Sequence, residues 1–92
     1  MKNLFDIKNK VIVITGGCGI LGKNIANYLA EQGAKIVILD RVEEAGRELE
    51  AELNRKSEAL FLVTDVLNKE VLEENKKAIL ERFGTIDVLL NA

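Results

Sequence analysis

The sequence contains no proline, no histidine and no tryptophan, and it has a single cysteine, Cys18. A lone cysteine cannot form an internal disulfide, and a chain without histidine is poorly suited to hold a structural zinc ion. The scarcity of cysteine is typical of a reducing compartment, so we expect a cytoplasmic location. Because proline is absent, glycine is the residue expected to end or interrupt regular structure.

The chain also lacks long apolar runs and a strong excess of either charge. Its 92 residues include 13 Lys or Arg and 15 Asp or Glu, which gives a net charge of −2. No basic stripe suited to nucleic acid is present, and no apolar run approaches the ~20 residues needed to cross a bilayer. We therefore expect neither a nucleic-acid partner nor a membrane partner. With 48% apolar residues, the chain is predicted to form one small globular domain or part of one.

Four short apolar runs alternate with three longer amphipathic stretches. The apolar runs cover residues 11–14, 36–39, 59–63 and 86–90, and they are rich in Val, Ile and Leu. Runs that are apolar on both faces are typical of a parallel sheet covered by helices on both sides. The order predicts an α/β fold, a Rossmann-like doubly wound half fold. Because crossovers are right-handed, the expected strand order is 3-2-1-4.

The spacing of apolar residues also predicts which face of each helix is buried. Gly33 and Gly84 follow the first and third helices and are expected to end them. Asn75 is polar but falls on the inner stripe of the third helix, and we expect a slight rotation that leaves it at the margin of the core. For the first helix the predicted inner positions are Leu21, Ile25, either Tyr28 or Leu29, and Gln32. For the second they are Val42, Ala45, Leu49 and Leu53, and for the third Leu72, Asn75, Ile79 and Phe83.

A glycine-rich turn joins the first strand to the first helix. Gly17, Gly19 and Gly22 satisfy G-x-G-x-x-G: the first glycine suits a tight turn, the second a close approach by a ligand, and the third close packing of helix on strand. Free backbone N–H groups and the positive end of the helix dipole favour a phosphate there. The alternative is a structural turn in an unrelated α/β protein. The predicted pyrophosphate site comprises Gly16, Gly17, Cys18, Gly19, Ile20, Leu21 and Gly22.

An acid ends the second apolar run, about 20 residues after the turn, where a dinucleotide-binding chain carries its ribose ligand. A carboxylate at Asp40 can accept hydrogen bonds from both ribose hydroxyls and would repel a 2′-phosphate, which favours NAD over NADP. The neighbouring Arg41 could accommodate a phosphate, so NADP remains possible. The alternative role for Asp40 is a solvated strand-end acid or a cap for the following helix. For Cys18, a small residue that fits the turn is a better interpretation than a redox thiol.

Several blocks together resemble the short-chain dehydrogenase/reductase family. They are residues 15–22 (TGGCGILG), 39–41 (LDR), 64–66 (TDV) and 83–92 (FGTIDVLLNA), all in the order and spacing of that family. The resemblance implies an oxidoreductase that transfers hydride between a nicotinamide cofactor and a hydroxyl or carbonyl group. Its T-G-G-x-G turn is similar to that of a group acting on sugar acids such as mannonate or fructuronate. The same glycine spacing is also typical of the family's sugar-nucleotide-modifying branch.

The resemblance also implies roles for individual residues. Asp65 and the backbone of Val66 would contact the adenine. Asn91 and Ala92 would border the nicotinamide ribose, with Ala92 at a position where the family often has a second asparagine. Thr15 would brace this last block.

The family's catalytic groups are a serine, a Tyr-x-x-x-Lys pair and a helix asparagine, all located after the fourth strand. The one tyrosine here, Tyr28, has no lysine four residues later. We therefore expect residues 1–92 to be an NAD(P)-binding half-domain without the catalytic half, unable to catalyse alone. We expect self-association or pairing through the exposed edge of the fourth strand. The alternatives are a non-catalytic nucleotide-binding or dimerising module, and another doubly wound nucleotide binder such as a flavin carrier.

Overall fold

The computed structural model describes residues 6–92; residues 1–5 of the predicted domain lie outside this range. Its elements alternate between strand and helix as predicted. In chain order they are β1 (Val11–Thr15), α1 (Ile20–Glu31), β2 (Lys35–Asp40), α2 (Glu43–Asn54), β3 (Ala59–Val63), α3 (Lys69–Phe83) and β4 (Val88–Asn91). The strands form one parallel sheet in the order β3-β2-β1-β4, which confirms the predicted topology. None of the helices in the described range is long and apolar enough to cross a membrane.

The sheet is covered by helices on both faces, because its central strands are apolar on both sides. One core joins α1 and α2 to the sheet, and the other joins α3 to the opposite face. The first core contains Ile12, Ile14, Ala26, Ala30, Ala34, Ile36, Ile38, Leu49, Leu53, Ala59 and Phe61. The second contains Val11, Val13, Val37, Leu39 and Ile79. Adjacent residues of β1 and β2 thus alternate between the two cores, as the strand geometry requires.

The buried face of α1 is rotated from the predicted one. Its buried residues are Gly22, Ala26 and Ala30, whereas Leu21 is 64% exposed and Tyr28 is 62% exposed. Small side chains let the helix backbone lie close to the sheet, and this close approach leaves larger side chains at the edges of the contact. The predicted stripe was therefore wrong at Leu21 and at Gln32, which is also exposed. Of the two alternatives Tyr28 and Leu29, it is Leu29 that packs against the core.

Helix α2 also lies close to the sheet through a glycine. A Cβ at Gly46 would lie 2.1 Å from the ring of Phe61, so the helix backbone rests directly on this buried aromatic side chain. Leu49 and Leu53 are buried as predicted, but Val42 is 55% exposed and precedes the first turn of the helix. The close approach at Gly46 therefore replaces the contact expected from Val42.

Both glycines expected to end helices have the left-handed conformation that suits that position. Gly33 has φ of 90° and directly follows Gln32, the C-cap of α1, and Gly84 is the C-cap of α3 with φ of 80°. A side chain would strain the backbone at either position. These two predictions are confirmed.

Strand β4 is bonded to β1 by side chains at both of its ends. At the amino end, Asp87 Oδ2 accepts a hydrogen bond from the Val11 N–H at 2.8 Å. At the carboxyl end, the Thr15 hydroxyl donates to Asn91 Oδ1 at 2.5 Å, the bracing contact expected for Thr15. Within residues 6–92 no strand lies on the other side of β4, and Leu89 is 61% exposed there.

Candidate dinucleotide-binding site

The glycine-rich turn lies at the carboxyl end of the sheet, between β1 and α1. Gly16 has φ of 69° and donates its N–H to the carbonyl of Leu39 at 2.8 Å. A Cβ on Gly16 would lie 3.0 Å from the carbonyl oxygen of Ala92. Gly16 is therefore required both by its backbone conformation and by the close approach of the chain that follows β4.

The third glycine of the motif brings α1 against the turn. A Cβ on Gly22 would lie 2.7 Å from the Cα of Gly17 and 2.8 Å from the carbonyl oxygen of Gly16. These neighbours are backbone atoms, which cannot move aside as a flexible side chain could. Gly22 thus has the packing role that the motif predicts.

Gly19 differs from the other glycines of the turn, because nothing in the protein requires it to lack a side chain. It has φ of −73° and ψ of 169°, an extended conformation open to any residue. The nearest atom to a Cβ placed there is the carbonyl oxygen of Gly16, 3.8 Å away, and the residue is exposed. The space in front of Gly19 is therefore free for a group that must contact the backbone closely.

The first turn of α1 offers backbone donors without a side-chain acceptor. Its N-cap, Gly19, makes no side-chain capping bond, and no acid lies in the first turn. Helix α3, by contrast, is capped by Asn68, whose side chain accepts from the N–H groups of Glu70 and Val71. The first N–H groups of an α-helix have no partner within the helix and carry its positive partial charge. An anion in front of α1 would satisfy them.

Asp40 lies at the end of β2 with its carboxylate beside the turn. Its Oδ2 accepts from the N–H of Cys18 at 3.1 Å, and its Oδ1 accepts from the N–H of Val42 at 3.1 Å. The carboxylate therefore supports the entry to α2, which is the alternative considered for this acid, and it also holds the glycine turn. Each oxygen retains capacity for another hydrogen bond, so these contacts are compatible with binding a ribose. The neighbouring Arg41 is exposed.

The thiol of Cys18 is kept protonated by its surroundings. Burial raises its pKa most, and the negative charge and hydrogen bonding of Asp40 raise it further, to about 11. Because the thiolate is the reactive form, this cysteine is a poor nucleophile at neutral pH. The environment favours the interpretation of Cys18 as a small residue that fits the turn.

The segment after β3 forms the second side of the site. The exposed carboxylate of Asp65 accepts from the N–H of Leu67 at 3.0 Å, and Val66 is 46% exposed. Val66 lines a cavity of about 550 Å³ together with Gly16, Asn91 and Ala92. The structure thus gathers four of the predicted site residues around one cavity. The turn residues 17–22, Asp40, Arg41 and Asp65 lie outside its lining.

One residue of this region was misjudged from the sequence. Asn75 of α3 is buried, with 8% of its surface exposed, and its Nδ2 donates to the hydroxyl of Thr64 at 2.7 Å. It also lines the cavity that Val66 lines. The expectation that Asn75 lies at the margin of the core was therefore wrong. A polar residue on an otherwise apolar stripe was the available sign of this contact.

Comparison with known proteins adds to this geometry. A family model described as short chain dehydrogenase matches residues 10–92. An uncharacterised oxidoreductase of Listeria monocytogenes is 43% identical over 91 residues, which cover 94% of this chain and 36% of the relative. The chain spans about a third of the length of the curated relatives that it matches.

Solved structures with nucleotides are similar over nearly the whole chain. A protein of Haemophilus influenza assigned as a D-mannonate oxidoreductase, with bound NAD, superposes with a TM-score of 0.86 at 36% identity, covering 91% of this chain and 30% of its own. L-Sorbose reductase of Gluconobacter frateurii, complexed with NADPH and L-sorbose, superposes with a TM-score of 0.85 at 30% identity, covering 92% and 34%. Both nucleotides thus occur among the structural neighbours.

Proposed function

The chain belongs to the short-chain dehydrogenase family, and from that premise we propose that it binds NAD or NADP at the carboxyl end of its sheet. The proposed role is the cofactor-binding portion of an oxidoreductase that acts on a hydroxyl or carbonyl group of a small substrate. When bound, the nicotinamide would supply or accept the hydride. The residues of this chain would bind and orient the nucleotide.

The observation that carries this proposal is the open space at Gly19. Neither the backbone conformation nor the packing requires glycine there, since the nearest atom to an added Cβ is 3.8 Å away. A pyrophosphate in contact with the uncapped N–H groups of α1 would require that space. The residues present therefore fit a dinucleotide.

The remaining site residues have proposed roles on either side of the pyrophosphate. Asp40 would accept hydrogen bonds from the adenosine ribose, and Asp65 with the backbone of Val66 would contact the adenine. Asn91 and Ala92 would border the nicotinamide ribose. Support comes from the shared cavity of Val66, Asn91 and Ala92 and from the contact of Asp40 with the glycine turn.

We propose that NAD is preferred over NADP. The carboxylate of Asp40 lies next to the turn, where it would repel a 2′-phosphate on the ribose. The exposed guanidinium of Arg41 is the nearest cation in sequence and would oppose this preference. The ratio of the Kd for NADP to that for NAD measures the balance between the two charges.

The proposed substrate class is a sugar acid or a related polyol. The T-G-G-x-G turn supports this class, and so does the likeness to a protein assigned as a D-mannonate oxidoreductase. We further propose that residues 1–92 alone do not catalyse. Tyr28 is 62% exposed on α1 and is followed four residues later by Gln32, so this chain offers no Tyr-x-x-x-Lys pair.

A second proposal concerns assembly and location. Leu89 is 61% exposed on β4, the last strand of the sheet within the described residues, and an apolar strand edge can pair with another chain. We propose that the chain self-associates through this edge, which would also suit a dimerising module. A cytoplasmic location remains our proposal from the cysteine content.

Calorimetric titration with NAD, NADP and FMN tests the proposed function. We expect binding of NAD by the parent chain, weaker binding by an Asp40→Ala variant, and no binding of FMN. Binding of FMN alone would instead support a flavin carrier. Adding NAD with a panel of polyols and sugar acids, and following the absorbance of NADH, tests the absence of catalysis. Turnover above background would contradict that part.

A further inference from the structure

Asn75 presents a buried amide group within an otherwise apolar contact between α3 and the sheet. Its neighbours around the cavity include Val13, Leu39, Leu72 and Ile79. Burying an amide is unfavourable unless the group is hydrogen-bonded, so an apolar residue of similar shape would suit packing alone. The position of Asn75 therefore points to a requirement other than core packing.

The hydrogen bond of Asn75 has a defined direction. The hydroxyl of Thr64, which is 1% exposed, donates to the carbonyl of Leu62 at 2.9 Å. A hydroxyl has one hydrogen, so the partner at its oxygen must be a donor. The Nδ2 of Asn75 meets this requirement at 2.7 Å. An aspartate at this position would offer only acceptors when ionised.

Thr64 lies between the two parts of the candidate site that would hold the adenosine. Its N–H donates to the carbonyl of Asp40 at 2.8 Å, so its backbone is bonded to the residue proposed to bind the ribose. Asp65 and Val66 are the next two residues in the chain. The amide of Asn75 thus fixes a residue that is hydrogen-bonded to Asp40 and covalently joined to Asp65.

We propose that Asn75 is a positioning residue for adenosine recognition. Through Thr64 it would hold Asp40 and the 65–66 segment in the relative placement that the adenosine requires. This inference rests on the proposed function, because it assumes that the adenosine half binds at these residues. It goes further by assigning a role to α3, which carries none of the predicted nucleotide contacts.

The test compares Asn75→Leu and Thr64→Val, which keep side-chain shape and remove the hydrogen bond, with Thr64→Ser, which keeps the hydroxyl. Affinities for NAD and for AMP are measured by calorimetry, and stability by urea denaturation. We expect both affinities to fall about threefold to tenfold in the first two variants, because binding must then reorder Asp40 and the 65–66 segment at a cost comparable to one hydrogen bond. Thr64→Ser should bind both ligands with an affinity within about twofold of the parent's.

Asn54→Leu serves as a control for loss of stability. The amide of Asn54 also joins a helix to a strand, by bonding both the N–H and the carbonyl of Ala59, but at the amino end of β3. We expect this variant to lose stability and keep its affinity for AMP. An effect on affinity that merely follows stability in all variants would overturn the inference.

The outcomes separate this inference from the proposed function. If the parent binds NAD and Asn75→Leu binds NAD and AMP equally well, the positioning role is wrong and the proposed function stands. If the parent binds no dinucleotide, the proposed function is wrong and the positioning role with it. A local rise in hydrogen exchange at Leu67 and Asn68 in Asn75→Leu, without one in α1, would add support.

Discussion

The N–H of Cys18 donates to Asp40 Oδ2 at 3.1 Å, and this bond ties the glycine turn after β1 to the end of β2. The other oxygen of the same carboxylate accepts from the N–H of Val42. One side chain therefore joins the glycine turn to the entry to α2, and it is the same side chain that is proposed to bind the ribose. Changes at Asp40 are expected to alter both folding and binding.

Gly19→Asp should separate binding from stability. Aspartate is a favourable N-cap residue and its charge suits a helix N-terminus, so we expect the free energy of unfolding to stay within about 1 kcal/mol of the parent. Affinity for NAD should fall at least about tenfold, because the side chain fills the open space and repels the pyrophosphate. Calorimetry and urea denaturation measure the two effects. Gly19→Asn is the neutral control of the same shape. If Gly19→Asp bound NAD as tightly as the parent does, the pyrophosphate site proposed at Gly19 would be wrong.

Gly22→Ala should instead damage the fold. The added Cβ would lie 2.7 Å from the Cα of Gly17, which is backbone, so α1 must move away from the turn. We expect a loss of about 1–3 kcal/mol in the free energy of unfolding, in spite of the better helix propensity of alanine. Urea denaturation measures it. Gly19→Ser is the control with open space, because serine suits the N-cap position that Gly19 occupies, and equal losses in both variants would argue against the packing role of Gly22.

Asp40→Asn tests the preference between nucleotides. The substitution keeps the shape of the side chain and removes the charge that would repel a 2′-phosphate. We expect the ratio of the Kd for NADP to that for NAD to fall at least about tenfold. Arg41→Ala is the complementary variant, expected to raise this ratio. An unchanged ratio in Asp40→Asn would show that the carboxylate does not face the ribose.

Cys18 should react slowly with iodoacetamide in the folded protein. Its pKa is raised from 9.0 to about 11, by burial first and then by Asp40, so the thiolate fraction at pH 8 is about a hundredfold below that of the unfolded chain. The labelling rate should rise with pH towards 11. The stabilising effect of the raised pKa is complete below pH 9 and is lost as the pH rises through 11. Cys18 should be labelled faster in the Asp40→Asn variant. Fast labelling of Cys18 in the folded parent at neutral pH would contradict the raised pKa.

Leu89→Lys should weaken self-association. A charge on the exposed edge strand opposes pairing with another chain. Sedimentation velocity should show a concentration-dependent increase in size for the parent and a smaller increase for the variant. Leu67→Lys is a matched control, because Leu67 is 86% exposed in the loop between β3 and α3, and β3 is the other edge strand of the sheet. A monomeric parent at all concentrations would refute the proposed assembly.

The order of elements and the topology could be predicted because each strand is recognised from a short run of consecutive apolar residues. Runs such as residues 11–14 and 36–39 are apolar on both faces, and only a covered parallel sheet buries both faces of several such runs. The turn was predictable for a similar reason. Its glycine spacing follows directly from the close contact of Gly22 with Gly17.

The parts that could not be predicted depend on distances between elements. Leu21 has the hydropathy of a buried residue, but Gly22 and Ala26 bring the helix so close to the sheet that Leu21 is left outside. The burial of Asn75 depends on its hydrogen bond to the hydroxyl of Thr64, directly after β3. The spacing of residues within α3 does not reveal this partner, because it belongs to another element. The bond from the N–H of Cys18 to Asp40 likewise joins two loops that are distant in sequence, whereas the bond from the N–H of Val42 is local and matches the capping role considered for this acid.

The bonds at the two ends of β4 have a consequence for engineering of the chain. Asp87 and Asn91 both accept hydrogen bonds from β1. If β4 shifted by one residue along β1, both hydrogen bonds would break at once and each side chain would point to the wrong face of the sheet. The spacing from Asp87 to Asn91 therefore cannot absorb an added or deleted residue.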